Sequence, residues 1–435
     1  MTEKRSPFIA LKHRNYRLLW TGQLISMSGS TMQTWAIFWH VSLIVPPDQK
    51  ALALGLVGLA RIAPIIIFSL VSGVVADVLD RRRLMLVTQA AMAVIAAVLA
   101  AITSGGLDQV WPIYLLSAFS AAAGAFDGPA RQSLFPNLVP REHLPNAISL
   151  NAIMFQAASV AGPMLAGFTI AGLGVAWVYV FNAVSFLAVI GALLLMRDVP
   201  PRAGGQPTDI SLRAAVEGLR FVFDAPLIRS TMLLDFFATF FSSAMALLPI
   251  FAQDILKVGA EGYGILSAAP SVGALLASAA MVKGIERFDR RGWTLLWAVA
   301  GYGLATVVFG LSNSFGLTYV CLALTGATDT VSMVLRNVIR QLTTPDHLRG
   351  RMTSVNMIFF MGGPQLGELE AGLVANWLGA PISVITGGIG CLVATAWVAW
   401  KTPELRDYRR GAVVPADRNA DASSAQPASQ PSVAR

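Results

Sequence analysis

Charge is what this sequence has least of. Only 13% of its 435 residues are Asp, Glu, Lys or Arg, against roughly 25% in an ordinary soluble domain, which excludes a chain that faces water on all sides. Cysteine is nearly missing: Cys321 and Cys391 both fall inside apolar runs, so neither a disulfide framework nor a paired metal-ligand spacing can be built, and no redox compartment follows. Histidines stand only at 13, 40, 143 and 347, too dispersed for H-E-x-x-H chemistry. No lysine follows a glycine, so a G-K-[ST] phosphate loop is lacking and ATP hydrolysis has no site. These shortages argue against an enzyme, and no cofactor or metal is expected. The net charge of +8 does not imply nucleic acid as a partner, because the basic residues are scattered over short loops. They read as topology signals and contacts to membrane lipids.

What the sequence has in abundance is long apolar runs, within a composition that is 55% hydrophobic. Twelve are counted, at 18–45, 52–76, 84–103, 110–130, 147–171, 175–196, 229–253, 262–282, 293–312, 316–336, 352–377 and 381–400. Each approaches or exceeds the roughly 20 residues that cross a ~30 Å hydrocarbon core as a helix. The expected fold is therefore an all-α membrane protein with twelve transmembrane helices. The basic N-terminal stretch leads into a run too long for a signal h-region, so it is expected to stay as the first span. All but Lys50, Arg61 and Lys257 of the 32 lysines and arginines fall on alternate sides that share one compartment, which predicts cytoplasmic termini in a bacterial-type inner membrane.

The longest interior connection divides the chain into an N-terminal bundle at 1–196, a linker at 197–228, a C-terminal bundle at 229–401 and a disordered tail at 402–435. A duplication crosses it. Asp77, Asp80, Arg81 and Arg82 correspond to Glu286, Asp289, Arg290 and Arg291, each 209 residues later, and Arg131 and Pro140 to Arg336 and Pro345, each 205 later. Two pseudo-symmetric six-helix bundles follow, with a site between them near mid-membrane.

Four spans carry polar residues at helical spacing. They are Gln23, Ser26, Ser30, Gln33 and His40; Ser117, Ser120, Gly124, Asp127 and Arg131; Asp235, Thr239, Ser242, Pro249 and Gln253; and Thr318, Thr325, Asp329, Ser332 and Arg336. Steps of three and four place each set on one face. A polar face toward lipid is costly, so the four are expected to line a shared cavity; Ser and Thr as helix glue account poorly for aligned stripes. Arg61, near mid-depth in its span, needs a carboxylate, a carbonyl, water or an anionic ligand to offset about 2.5–3.5 kcal/mol of insertion cost. Asp127 and Arg131 stand in the favourable order for an intrahelical pair. Asp235 and Asp329 are the carboxylates best placed to carry protons, and Glu368, beside Glu370, is a further one.

The turn Gly73-Val74-Val75-Ala76-Asp77-Val78-Leu79-Asp80-Arg81-Arg82-Arg83 joins two spans in a tight hairpin. It resembles the signature loop between helices 2 and 3 of the major facilitator superfamily, in which a carboxylate attracts the positive end of a helix in the opposite half. That resemblance makes Gly73, Asp77, Asp80, Arg81 and Arg82 a conformational latch. Gly162, Pro163 and Gly167 resemble the antiporter motif of facilitator exporters, with Ala158 and Ala166 where glycines are usual. Asn15-Tyr16-Arg17-Leu18-Leu19-Trp20, Arg61-Ile62-Ala63-Pro64, Pro129-Ala130-Arg131-Gln132-Ser133-Leu134-Phe135-Pro136, Phe181-Asn182-Ala183-Val184-Ser185-Phe186 and Leu248-Pro249-Ile250-Phe251-Ala252 are similar to the enterobactin-exporter-like branch. Many relatives carry Gly-Asp where this chain has Gly29-Ser30, so a proton role is not carried to that position.

The resemblance implies a monomeric secondary transporter, driven by protons, that exports an amphipathic small molecule such as a siderophore or drug. The substrate-cavity and coupling residues expected are Arg61, Gln33, Asp127, Arg131, Asp235, Asp329, Arg336 and Glu368. A lipid flipper of the same fold and a non-transporting sensor or assembly partner are the alternatives, separated by flux.

Overall fold

The computed structural model describes residues 7–197, 220, 222–284, 286, 288–345 and 348–410. The N-terminal half consists of α1 (Arg14–Ile44), α2 (Lys50–Val78), α3 (Arg81–Ser104), α4 (Trp111–Leu134), α5 (Leu144–Leu173) and α6 (Val175–Leu195). The C-terminal half holds an interrupted α7 (Pro226–Ile255), then α8 (Gly259–Gly284), α9 (Arg291–Leu311), α10 (Phe315–Thr343), α11 (Arg349–Leu378) and α12 (Ala380–Lys401). Most of the linker and the tail lie outside the described residues, but the expected disorder does not begin at 402: Pro403–Arg406 form a helical turn, and Leu405 and Tyr408 are buried in the core of the C-terminal half.

Among the described residues nine of these helices are long and apolar enough to cross a membrane. The other three are α1, α4 and α11, whose buried or half-buried Gln23, Gln33, Asp127, Arg131 and Glu368 lower their apolarity. Such residues are tolerated at membrane depth only where they face protein or a wet cavity. The duplication shows in the turns: Gly174 (φ +92°) joins α5 to α6, and Gly379 (φ +90°), 205 residues later, joins α11 to α12. Both adopt a positive φ that suits glycine.

The sequence predicts one continuous span at 229–253; the structure breaks it. A regular helix runs over Pro226–Phe241, Ser242 (φ −109°, ψ 20°) and Ser243 (φ −75°, ψ 43°) leave helical geometry, and a 3-10 turn at Ala244–Leu247 follows. Leu248–Ile250 and a π segment at Phe251–Ile255 complete the span. Two local causes converge here. Ser243 Oγ donates to Thr239 O at 2.5 Å, a back-bond that competes with the helix ladder, and Pro249 has no N–H to continue it. The interrupted stretch is accommodated by glycines: a Cβ on Gly367 of α11 would lie 2.2 Å from Phe240 O, and one on Gly387 of α12 2.0 Å from Phe241 O.

The halves meet at the end remote from the termini. α2 crosses α11 where Gly55 faces Gly372, and α5 crosses α8 where Gly167 faces Gly264, with backbones too close for any Cβ. One apolar core at that end draws on both halves, including Ala36, Trp39, Leu54, Phe251, Tyr263 and Ala371. The other described cores each stay within one half. The molecule is packed shut at one end, while the cores at the end bearing the termini are separate.

Candidate functional site

In the C-terminal half, α7 and α10 bring three expected residues together. Arg336 Nη2 lies 2.8 Å from Asp235 Oδ1 and 3.4 Å from Asp329 Oδ1. The Arg336 and Asp235 side chains are 2% and 3% exposed, whereas that of Asp329 is 43% exposed. Asp235 therefore serves as the sealed counter-ion, and Asp329 is the carboxylate left open. Arg336 Nε and Nη1 have no hydrogen-bond partner. One turn away, buried Arg340 donates to Arg336 O, to Asn337 Oδ1 and to Asn356 Oδ1.

The N-terminal half repeats the plan with a neutral partner. Arg131, the counterpart of Arg336, donates to Gln23 Oε1 of α1 at 3.0 Å. The expected Asp127–Arg131 pair does not form. Buried Asp127 instead accepts from Thr88 Oγ1 at 3.1 Å and from Gln89 Nε2 at 2.9 Å, both on α3. Gln33 is also taken up inside its own half, where its Oε1 accepts from Asn182 Nδ2 of α6 at 2.8 Å. His40 meets Tyr179 Oη at 3.1 Å. The α1 stripe thus turns largely toward α3, α4 and α6, correcting the expectation that it lines the shared cavity.

Arg61 and Glu368, far apart in sequence, come within electrostatic reach of each other across the α2–α11 crossing. Gly58 makes the room: a Cβ there would lie 2.7 Å from Glu368 Oε2. That oxygen and Gln365 Oε1, one turn back, are buried acceptors without donors. Neither Arg61 nor Arg131 has a carboxylate at ion-pairing distance among the described residues, and both are half-buried. Arg131 thus keeps no counter-ion inside its half, Arg61 has only the buried Glu368 across the crossing, and Asp329 is the one acid of the three in the C-terminal cluster and crossing whose side chain stays open.

Of the latch residues, the surroundings of Gly73 and the side chain of Asp77 lie outside the described part of the structure. Asp80 caps α3 by accepting from the Arg83 N–H at 2.8 Å. Arg81 donates to Ser133 O and Arg82 to Leu194 O, pinning the turn to the ends of α4 and α6. Within the antiporter-like motif, Gly162 faces Thr31 of α1, whose Oγ1 donates to Ala158 O at 3.0 Å. Pro163 O and Gly167 face Gly264 across the halves. The motif is a two-sided contact, with one glycine used inside its bundle and one at the seam.

Two helical bundles, joined at one end around charged groups at membrane depth, define a transporter of the major facilitator fold. Solved structures agree on that fold. The chain superposes on a bacterial homologue of the human lysosomal transporter Spinster, inward-facing and unoccupied (TM-score 0.71, 15% identity, 93% of this chain and 99% of that one). It also superposes on an inward-facing bacterial homologue of the iron transporter ferroportin (TM-score 0.65, 18% identity, 91% and 99%). Residues 5–424 match the transmembrane secretion effector family, and the chain belongs to it. It is 28% identical over 374 residues to the enterobactin exporter EntS of Escherichia coli K12 and to that of Shigella boydii serotype 18, covering 86% of this chain and 85% of each relative. These relatives are membrane transporters, not enzymes.

Proposed function

We propose that this protein is a proton-driven exporter of an amphipathic small molecule, siderophore-like or drug-like, working as a monomer by alternating access in a bacterial inner membrane. The observation that carries this reading is a set of charged groups at membrane depth in a molecule shut at one end: Arg131 without a counter-ion, Arg61 facing the buried Glu368 across the halves, and Asp329 open beside Arg336. The basic-residue asymmetry puts both termini in the cytoplasm, so the shut end faces outward and the present state opens inward. Cysteines at 108 and 261 should label from outside in intact cells, and one at 205 should not.

Enterobactin is the cargo of the exporters to which the chain is similar, and an anionic or catechol-bearing cargo suits Arg131 and Arg61, neither of which has a carboxylate at ion-pairing distance among the described residues. Protons are assigned to Asp329 and Glu368, with Asp235 holding Arg336 in place. Asp127 and Gln33 support the N-terminal wall through α3 and α6. Gly73, Asp77, Asp80, Arg81 and Arg82 act as the latch of the outward-open state, and the chain divides into bundles at 1–196 and 229–401 with a linker at 197–228 and a tail at 402–435, α7 beginning just inside the linker at Pro226. The test is uptake of a siderophore and a cationic dye panel into inverted vesicles under an imposed pH gradient, with and without a protonophore. Accumulation that collapses with the protonophore is expected. Equal accumulation in both conditions would overturn proton drive, and binding without flux would favour a sensor.

A further inference from the structure

A second feature of the C-terminal half stands apart from the seam between the halves. A cavity of about 130 Å³ sits beside the interruption of α7, bounded by Ser242 and Met245 at the break, Pro270 of α8, Tyr302, Thr306 and Phe309 of α9, and Leu322, Thr325 and Asp329 of α10. Its polar groups are four hydroxyls and one carboxylate; every one presents oxygen. Ser242 is 5% exposed, and its Oγ has no nitrogen or oxygen partner, with only the Cys391 thiol beside it. The Tyr302 hydroxyl donates at 3.5 Å to the Ser242 carbonyl, one of the groups freed by the break. The regular part of α7 also ends here, bringing the negative end of its dipole to the cavity wall.

An oxygen-only lining with one carboxylate and a helix carboxyl end is the chemistry of a hard cation. The nearby cations do not fill it. Arg336 reaches Asp329 through a single nitrogen at 3.4 Å and is drawn to Asp235 at 2.8 Å. Arg340 is occupied one turn further on by Asn337 and Asn356. Among the described residues Asp329 is the only carboxylate on the cavity wall, and its side chain stays open. The volume exceeds a bare ion and suits one that keeps part of its water, or a compact primary ammonium.

We infer that this cavity is a binding site for a small monovalent cation, held by Asp329 and the hydroxyls of Ser242, Tyr302, Thr306 and Thr325. Discontinuous membrane helices supply such sites by combining unwound carbonyls with a helix end. The site does not depend on the proton-driven reading, although a proton on Asp329 would compete with the cation.

The test is equilibrium binding to the purified full-length protein in lipid nanodiscs, with no gradient imposed. The probes are radiolabelled sodium and, separately, radiolabelled methylammonium, with N-methylglucamine holding the ionic strength. Saturable binding of one probe is expected, weakened about tenfold or more by Asp329→Asn and severalfold by Ser242→Ala, and unchanged in Asp407→Asn on the surface. Displacement of sodium by excess methylammonium would identify the ammonium as the better occupant; the converse would identify the metal ion. Absence of saturable binding by both probes overturns the inference, as does binding indifferent to Asp329→Asn and Ser242→Ala. If Asp329→Asn fails to fold, Ser242→Ala and Thr306→Val decide between these outcomes. Because no gradient is present, failure here leaves the vesicle flux result standing, and failure of proton drive leaves the binding result standing.

Discussion

At the scale of single residues, Arg336 shows how partner choice sets the role of a charge. Removing one member of a buried ion pair strands the other, a loss of about 3–5 kcal/mol. Asp235→Ala should therefore lower the thermal unfolding midpoint sharply, whereas Asp329→Asn, at an open and longer contact, should lower it little. Equal losses would show that Asp329 is the structural partner instead. At the surface bearing the termini, His13 Nε2 meets His143 Nδ1 at 2.8 Å, joining the start of α1 to the 3-10 turn at Arg141–His143 before α5. Burial, and then the neighbouring His143, lower the pKa of His13, with Glu142 opposing; Arg14 and Arg197 stand in the same surface pocket. A histidine whose folded pKa is depressed binds fewer protons folded than unfolded, so its contact is favoured above about pH 6.5 and weakened as pH falls below it. Hydrogen exchange at Ala10–Arg17 should quicken from pH 7.5 to 5.5, and His13→Gln should remove that dependence. The residue types were legible in the sequence, but their partners were not. Helical spacing put Asp127 and Arg131 on one face, yet Thr88 and Gln89 on α3 outbid Arg131 for the carboxylate, and only the rotation of α3 against α4 decides that.

At the scale of elements, the run lengths made all twelve helices legible, and the 205-residue offset read from Arg131 and Pro140 recurs in the structure at the Gly174 and Gly379 turns, which were not singled out from the sequence. The interruption of α7 was not legible, because Ser242-Ser243-Ala244-Met245 is apolar enough to pass for helix. Breaking a helix at membrane depth leaves backbone groups that lipid cannot satisfy, so the break depends on neighbours that come from α11 and α12. Gly367 and Gly387 admit the Phe240 and Phe241 carbonyls, and an added methyl would strike backbone atoms rather than a movable side-chain tip. Gly367→Ala and Gly387→Ala should each reduce the yield of folded protein and lower the unfolding midpoint. Gly362→Ala on the same α11 meets nothing within 4 Å and should be neutral, or slightly stabilising through its better helix propensity. Comparable losses at all three positions would show that α11 is sensitive to any substitution and that the break places no special demand on Gly367.

At the scale of the whole molecule, alternating access requires that the shut end come apart, and the groups that must part there are identifiable. Lys50 Nζ, at the start of α2, donates to Gln253 Oε1 at 3.1 Å and reaches Asp254 Oδ2 at 3.2 Å, both in the π segment of α7. Gln253 Nε2 donates to Ser42 Oγ of α1 at 2.7 Å, and Tyr263 Oη of α8 to Trp35 O at 2.9 Å. Asp254 is half-exposed, so the ion pair itself is worth only about 0–1 kcal/mol; the neutral hydrogen bonds add about 0.5–1.5 kcal/mol each. That total is small beside the cost of unfolding but large for an equilibrium between two folded states, where about 1.4 kcal/mol is a tenfold change in population. Lys50→Ala should therefore move molecules toward the outward-open state without unfolding them. Spin labels at positions 108 and 313, one on each half at this end, would report it as growth of a longer-distance component in double electron–electron resonance. Lys50→Glu alone should enlarge that component further by setting two carboxylates against each other, and Lys50→Glu with Asp254→Lys should bring it back toward the wild-type distribution. An unchanged distribution in Lys50→Ala and Lys50→Glu would mean that the close glycine crossings of α2 with α11 and α5 with α8 hold the end shut without the lysine.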